Sequence, residues 1–159
     1  METTTFFDIP KEDTLYEKVK GFVLDKIRNP DPSSEFERKT KYVRDRPDYE
    51  LLTILQAIGY DVLLGYEDGE ICGSFAFQKH EDSLHVFSMY TDGKYRGQPR
   101  VIMQLVEEFL KYARRKKVNR VRVGAGNNPS ANKLINILAK REKELGIKVD
   151  QETCWIDLL

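Results

Sequence analysis

The chain has 159 residues, 40% of them hydrophobic and 33% charged, with 26 Lys and Arg against 26 Asp and Glu, so its net charge is zero. That is the size and mixture of a single domain over residues 1–159 with one ordinary core. It excludes a disordered chain, and it excludes a protein whose main work is a broad electrostatic grip on nucleic acid or anionic membrane.

Leu15, Val19, Phe22, Val23 and Ile27 recur at helical spacing behind an acidic, proline-opened start at Pro10, Glu12 and Asp13, which predicts a first helix. Asn29-Pro30-Asp31-Pro32 breaks it, because proline and the residue before it resist helix. The polar stretch Glu35 to Arg46 has room for a short helix, and Pro47 opens another that buries Leu51, Leu52, Ile54, Leu55 and Ile58 and stops at Gly59. The period then becomes extended. Val62 to Tyr66 and Ile71 to Gln78 flank the hairpin signal Asp68-Gly69, and a polar turn at His80 to Ser83 leads into Leu84 to Tyr90.

These three runs predict an antiparallel meander. Beyond Gly93 the spacing of Ile102, Leu105, Val106, Phe109, Tyr112 and Ala113 is helical again. Val121 to Ala125 is a short strand, Asn128-Pro129 starts a last helix that runs to about Leu145 before Gly146, and Lys148 to Leu158 is extended. A strand, helix, strand sequence implies a parallel pair joined to the meander. The expected fold is therefore a mixed, mostly antiparallel α/β sheet flanked by helices.

No run approaches the roughly 20 apolar residues of a membrane span, and Met1 to Pro10 lacks the basic flank and apolar run of a secretory signal. The two cysteines, Cys72 and Cys154, form no CxxC or Cys/His pattern, so both read as reduced core thiols and no metal is expected. A soluble, cytoplasmic protein is expected. The basic run Lys111 to Lys117 reads as a solvated helix end, which the helix dipole favours, so nucleic acid is not the expected partner. Trp155 reads as a core or homodimer contact.

The most informative junction is Tyr95-Arg96-Gly97-Gln98-Pro99-Arg100-Val101, between a strand and an amphipathic helix. Free amides at a helix start form an anion site that Arg96 and Arg100 would strengthen. The same residues also suit a solvated loop. On these residues the chain resembles the GCN5-related N-acetyltransferase (GNAT) superfamily, whose pyrophosphate loop reads Gln/Arg-x-x-Gly-x-Gly/Ala after the fourth strand. Arg96 takes the first place of that pattern, and Tyr95-Arg96-Gly97 looks like the Tyr-Arg-Gly common there. The family's Asn-Pro-x-Ala-x-x-Leu stretch after the fifth strand appears as Asn128-Pro129-Ser130-Ala131-Asn132-Lys133-Leu134. The likeness runs from about Asp61 to Gly146.

The resemblance implies a GNAT-like sheet and acetyl-coenzyme A as co-substrate. It places the pantetheine arm against Met89, Tyr90 and Thr91, between splayed fourth and fifth strands. The phosphates fall at Arg96, Gly97, Gln98, Arg100 and Val101, with Asn128 and Ser130 from the second signature. It implies direct acetyl transfer to the amine of a small molecule or peptide in a ternary complex. Many members carry a Glu on the fourth strand eleven residues before the loop motif, and counting back from Arg96 reaches His85. An imidazole titrates near neutrality and suits a general base, although His85 would equally suit pairing with a cross-strand neighbour. Asp92, Glu81 and Tyr90 are the other candidate bases.

The chain departs from the family at Pro99 and Val101, where Gly and Gly or Ala are usual, and at Ile135, which replaces a Tyr that often protonates the thiolate. Gly146 also comes later than the family spacing implies. Pro99, Val101 and Ile135 support the alternative function, a non-catalytic GNAT-like module acting through a protein or nucleic-acid partner.

Overall fold

The computed structural model describes residues 1–30, 38, 40–124 and 129–159. Strand β1 (Glu2–Thr5) opens the chain and is followed by a single 3-10 turn at Phe6–Asp8 and helix α1 (Thr14–Arg28). Asp13 caps α1 by accepting the Leu15 N–H at 2.9 Å, satisfying one of the donors that a helix start leaves open. Helix α2 (Asp48–Ala57) is followed by the meander β2 (Tyr60–Glu67), β3 (Glu70–His80) and β4 (Ser83–Thr91). Asp68 and Gly69 close the first hairpin with φ of 52° and 79°, the turn whose twist matches the strands it joins. Helix α3 (Pro99–Arg115), strand β5 (Arg120–Val123), helices α4 (Pro129–Ala139) and α5 (Glu142–Leu145), and strands β6 (Ile147–Asp150) and β7 (Trp155–Leu158) complete the chain.

The strands form one seven-stranded sheet in the order β1-β2-β3-β4-β5-β7-β6. All neighbours are antiparallel except β4 and β5. Helices α3 and α4 cover one face, where Phe109, Leu134 and Leu138 pack on Phe77, Val86 and Val121. Helices α1 and α2 cover the other, where Val23, Ile27, Leu51 and Leu55 meet Leu64 and Phe87. None of β5, β6 and β7 contributes a buried residue to that second core. Both thiols are free and buried. Among the described residues no helix is long and apolar enough to cross a membrane.

Four features differ from the sequence-based expectation. Residues 2–5, which carry no apolar alternation, form an edge strand on β2. The last helix breaks between Ala139 and Glu142. The C-terminal extended run is a hairpin, β6 with β7, turned through Gln151–Cys154, with Cys154 at φ 62°. Arg114, placed in a solvated run, instead donates to the Leu145 and Gly146 carbonyls at 2.8 and 3.0 Å, stapling the end of α3 to the end of α5. Most of the expected short helix between Glu35 and Arg46 lies outside the described residues, and 41–45 form turns.

Asp61 is a polar group that the fold holds at a cost. Its Oδ1 accepts the Val62 and Phe7 N–H groups at 2.8 and 3.3 Å. Burial nevertheless pushes its carboxyl from the ordinary 3.8 up to about 6, because desolving the anion outweighs those two bonds. A carboxyl raised in the folded state keeps a proton there that the unfolded chain loses first. Stability therefore falls as pH rises from about 4 to about 6 and stays lower above that window. Asp61→Asn keeps an acceptor oxygen and removes the charge. It is expected to stabilise the protein near pH 8 by on the order of 1–3 kcal/mol, with no gain near pH 4. Urea denaturation at the two pH values measures this, and an equal effect at both would show that the Asp61 charge does not matter.

Candidate functional site

The site is built around the junction of β4 and β5 in the middle of the sheet. Strands β4 and β5 pair through four rungs, Ser83 with Arg120 to Val86 with Val123, and a last bond runs from the Gly124 N–H to the Val86 carbonyl at 3.1 Å. Beyond Val86 the β5 side of β4 has no partner strand among the described residues. The register of β4 against β3 shifts at the same point, with Val86 opposite Phe77 and Ser88 opposite Ala76. Phe87 is thus an inserted bulge residue, the kind of irregularity that bends a strand and re-aims its side chains. Before it, Leu84 and Val86 face α3 and α4; after it, Met89 faces that side and Tyr90 faces α1.

The backbone direction of the outer half of β4 follows from one bond. The Asp92 N–H donates to the Cys72 carbonyl at 3.0 Å. Alternation along an antiparallel pair then turns the backbone groups of Tyr90 toward β3 as well, and those of Met89 and Thr91 toward the open side. Arg96 closes part of that edge, because its Nε donates to the Thr91 carbonyl at 3.2 Å. The Met89 N–H and C=O and the Thr91 N–H are what remains to meet an extended ligand. Tyr90, expected as a third edge partner, is committed elsewhere: its ring packs on Phe22, Lys26 Nζ lies 4.1 Å from the ring centre, and its hydroxyl donates to Asp92 at 3.1 Å. Burial first, and then that hydrogen bond, holds its phenol above the ordinary value.

The β4–α3 turn is tightly self-bonded. Tyr95 and Arg96 N–H groups donate to the Asp92 carbonyl, Gln98 N–H to Tyr95 and Val101 N–H to Gln98, while Gln98 Nε2 reaches the Lys94 carbonyl. Gly97 sits at φ 79° with no atom within 4 Å of the place a Cβ would take. Its N–H and that of Arg100 have no hydrogen-bond partner among the described residues. Pro99 occupies the first helical position, where its missing N–H costs the helix nothing. Val101 differs from its expected role: its side chain is 1% exposed against Cys72 and Tyr95, and its N–H is bonded. It shapes the turn from beneath. Arg100 is exposed, bonds Gln104 at 3.2 Å and lies 4.0 Å from Glu67. Asn128 and the side chain of Ser130 lie outside the described residues, so their expected roles are not placed.

His85 stands on β4 inside the paired region, in register with Arg122 of β5 and Gln78 of β3. Its ring lies 4.4 Å from that of His80 and meets the Trp155 ring edge-on at 5.4 Å. Asp92, one of the other candidate bases, is engaged by Tyr90 and by the Lys94 N–H at 3.1 Å. Glu81 is an exposed turn residue at φ 53°. Ile135 is fully buried in the α3–α4 core, so no proton donor stands at that position.

Sequence reasoning missed Arg122 and Trp155. Alternation shows only that Arg122 faces away from Val121 and Val123, and nothing local indicates that a tryptophan from the C-terminal strand lies beside it.

No protein-family model matches the sequence, and no curated protein matches it by sequence. Solved structures do match in fold. The ribosomal-protein-alanine N-acetyltransferase from Brucella melitensis biovar Abortus 2308 superposes with a TM-score of 0.54 at 16% identity over 87% of this chain and 91% of its own. The PaiA N-acetyltransferase from Thermoplasma acidophilum, in complex with coenzyme A, gives 0.53 at 12% identity over 99% of both chains. Tetrahymena GCN5 gives 0.52 at 9% identity over 99% of this chain and 95% of its own. By these superpositions the chain has the fold of the GNAT N-acetyltransferases.

Proposed function

We propose that the protein is an acetyl-coenzyme A-dependent N-acetyltransferase acting on the amine of a small molecule or peptide. The observation that carries this reading is the juxtaposition of a helix-start turn with a β4 edge that has no partner strand among the described residues. Met89 and Thr91 offer the edge groups, and the Gly97 and Arg100 amides with the Arg96 and Arg100 guanidinium groups offer donors for an anion. An extended amide-bearing arm ending in phosphates matches both parts. The open space at Gly97 lets a phosphate approach the backbone.

In this reading acetyl-coenzyme A brings the reactive thioester, and the protein contributes position and a proton path. The acceptor nitrogen forms a bond to the thioester carbonyl carbon as the carbon–sulfur bond breaks. His85 takes the proton that the nitrogen gives up, and the departing thiolate takes its proton from solvent.

The alternative, a non-catalytic module binding a protein or nucleic acid, draws on Pro99 and Ile135, which remove an N–H and a hydroxyl that the resemblance would supply. Calorimetry separates the two. Acetyl-coenzyme A is expected to bind, and Arg96→Ala to weaken binding by about 1–3 kcal/mol, the loss of a charge-assisted hydrogen bond. No heat and no thermal shift at millimolar ligand would favour the module. Unchanged affinity in Arg96→Ala would remove the β4–α3 turn from the site.

A further inference from the structure

A cavity of about 880 Å³ opens at the end of β5, lined by Arg122, Trp155, the α4 residues Asn132 and Asn136, and the β6–β7 turn. Val121 and Val123 are buried on the α3–α4 side, so Arg122 projects to the opposite face, and the cavity, with α4 on one side and Arg122 and Trp155 on the other, wraps round the end of the β5–β7 pair. The Nε of Arg122 is buried and has no hydrogen-bond partner among the described residues. Its guanidinium lies 5.9 Å from the centre of the Trp155 ring. Arg120, two residues earlier, shows the contrast: it lies 4.2 Å from the same ring but is neutralised by Asp157 at 2.9 Å. Arg122 is half-buried, and an N–H shielded from water without an acceptor is costly. The forked guanidinium is shaped to take a carboxylate in two parallel hydrogen bonds. Glu152 is exposed in the cavity lining, so the anion site is the Arg122 end and not the whole cavity.

The position of Arg122 relative to His85 narrows the ligand. The two residues are direct register partners on parallel strands, about 4.8 Å apart across the ladder. Both point to the same face, and the Trp155 ring contacts each of them. An amine delivered to His85 and an anion held by Arg122 therefore lie within the span of one small molecule. We infer that Arg122 binds the carboxylate of the acceptor, which makes the acceptor a free amino carboxylic acid. This inference rests on the acetyl-transfer reading for the amine end only; the carboxylate site stands on the cavity and the unbonded Arg122 Nε.

The test follows the Arg122 Nε–Hε cross-peak of the ¹⁵N-labelled full chain, identified by its loss in Arg122→Gln. The proteinogenic L-amino acids, and then the same compounds as carboxamides, are added singly at millimolar concentration in the presence of coenzyme A. At least one acid is expected to shift the peak, and its carboxamide to leave it in place. In the acetyl-transfer assay that acid is expected to exceed its carboxamide in kcat/KM by about tenfold or more, because a site built to bind a polar group rejects the analogue lacking it. Arg122→Gln abolishes that preference and leaves the KM for acetyl-coenzyme A unchanged. If no acid moves the peak, or if carboxamides move it equally, the carboxylate site does not exist. Absence of coenzyme A binding overturns the acetyl-transfer reading alone, since the peak shift is read without turnover.

Discussion

His85→Ala is expected to lower acetyl-transfer turnover by about 10²–10⁴-fold, the usual yield of a positioned general base, while acetyl-coenzyme A binds as before. The separation follows from where the residue stands. His85 lies on the far side of the Phe87 bulge from Met89 and Thr91, so its removal leaves the β4 edge and the β4–α3 turn intact. Its imidazole is held between His80 and Trp155, a setting that fixes the ring without packing it in the main core. Steady-state kinetics with calorimetry on the same variant decide the matter, because a loss of kcat with unchanged affinity marks an interaction made in the chemical step. Equal turnover in the variant removes His85 from the mechanism.

The second large effect is on stability. Phe109 of α3 is 4% exposed, and its ring meets those of Phe75 at 5.0 Å and Phe77 at 5.5 Å. Phe109→Ala is expected to cost about 3–5 kcal/mol, combining lost burial, the cavity left behind and two aromatic contacts. Urea denaturation followed by circular dichroism measures it. A loss below about 1 kcal/mol would show that the helix is held on the sheet by something other than this cluster. A conservative Phe109→Leu change retains most of the volume and is expected to cost less than half as much.

Much of this architecture is legible in local pattern. The β2–β4 meander declares itself through the alternation of Val62 to Tyr66 and the Asp68-Gly69 turn, and α3 through the spacing of Leu105, Val106, Phe109 and Ala113. The parallel placement of β5 beside β4 follows from the intervening helix. What escapes the sequence depends on partners distant in the chain. Glu2 to Thr5 is a strand because β2 offers an edge. The break after Ala139 carries no glycine or proline to announce it. The insertion of Phe87 exists only relative to β3, whose register defines it as extra. At the candidate site, Arg96, Gly97 and Arg100 are visible because loop and helix start are contiguous. Val101 could be placed in line with them but not seen to turn inward, since that depends on Cys72 and Tyr95 beneath it. The unbonded Nε of Arg122 is hidden for the same reason.

The four-rung ladder between β4 and β5 has a mechanical consequence. It divides the sheet into a four-stranded slab and a three-stranded flap joined along a short seam. Among the described residues, hydrogen bonds fix the seam at its closed end only. Toward the open end, Val86, Val123, Ala131 and Ile135 belong to one buried cluster that backs the seam. Side-chain volume at those positions therefore acts as a shim. Trimming it lets the flap swing inward, and enlarging it forces the edges apart, so the gauge of the slot can be altered without touching any residue that lines it.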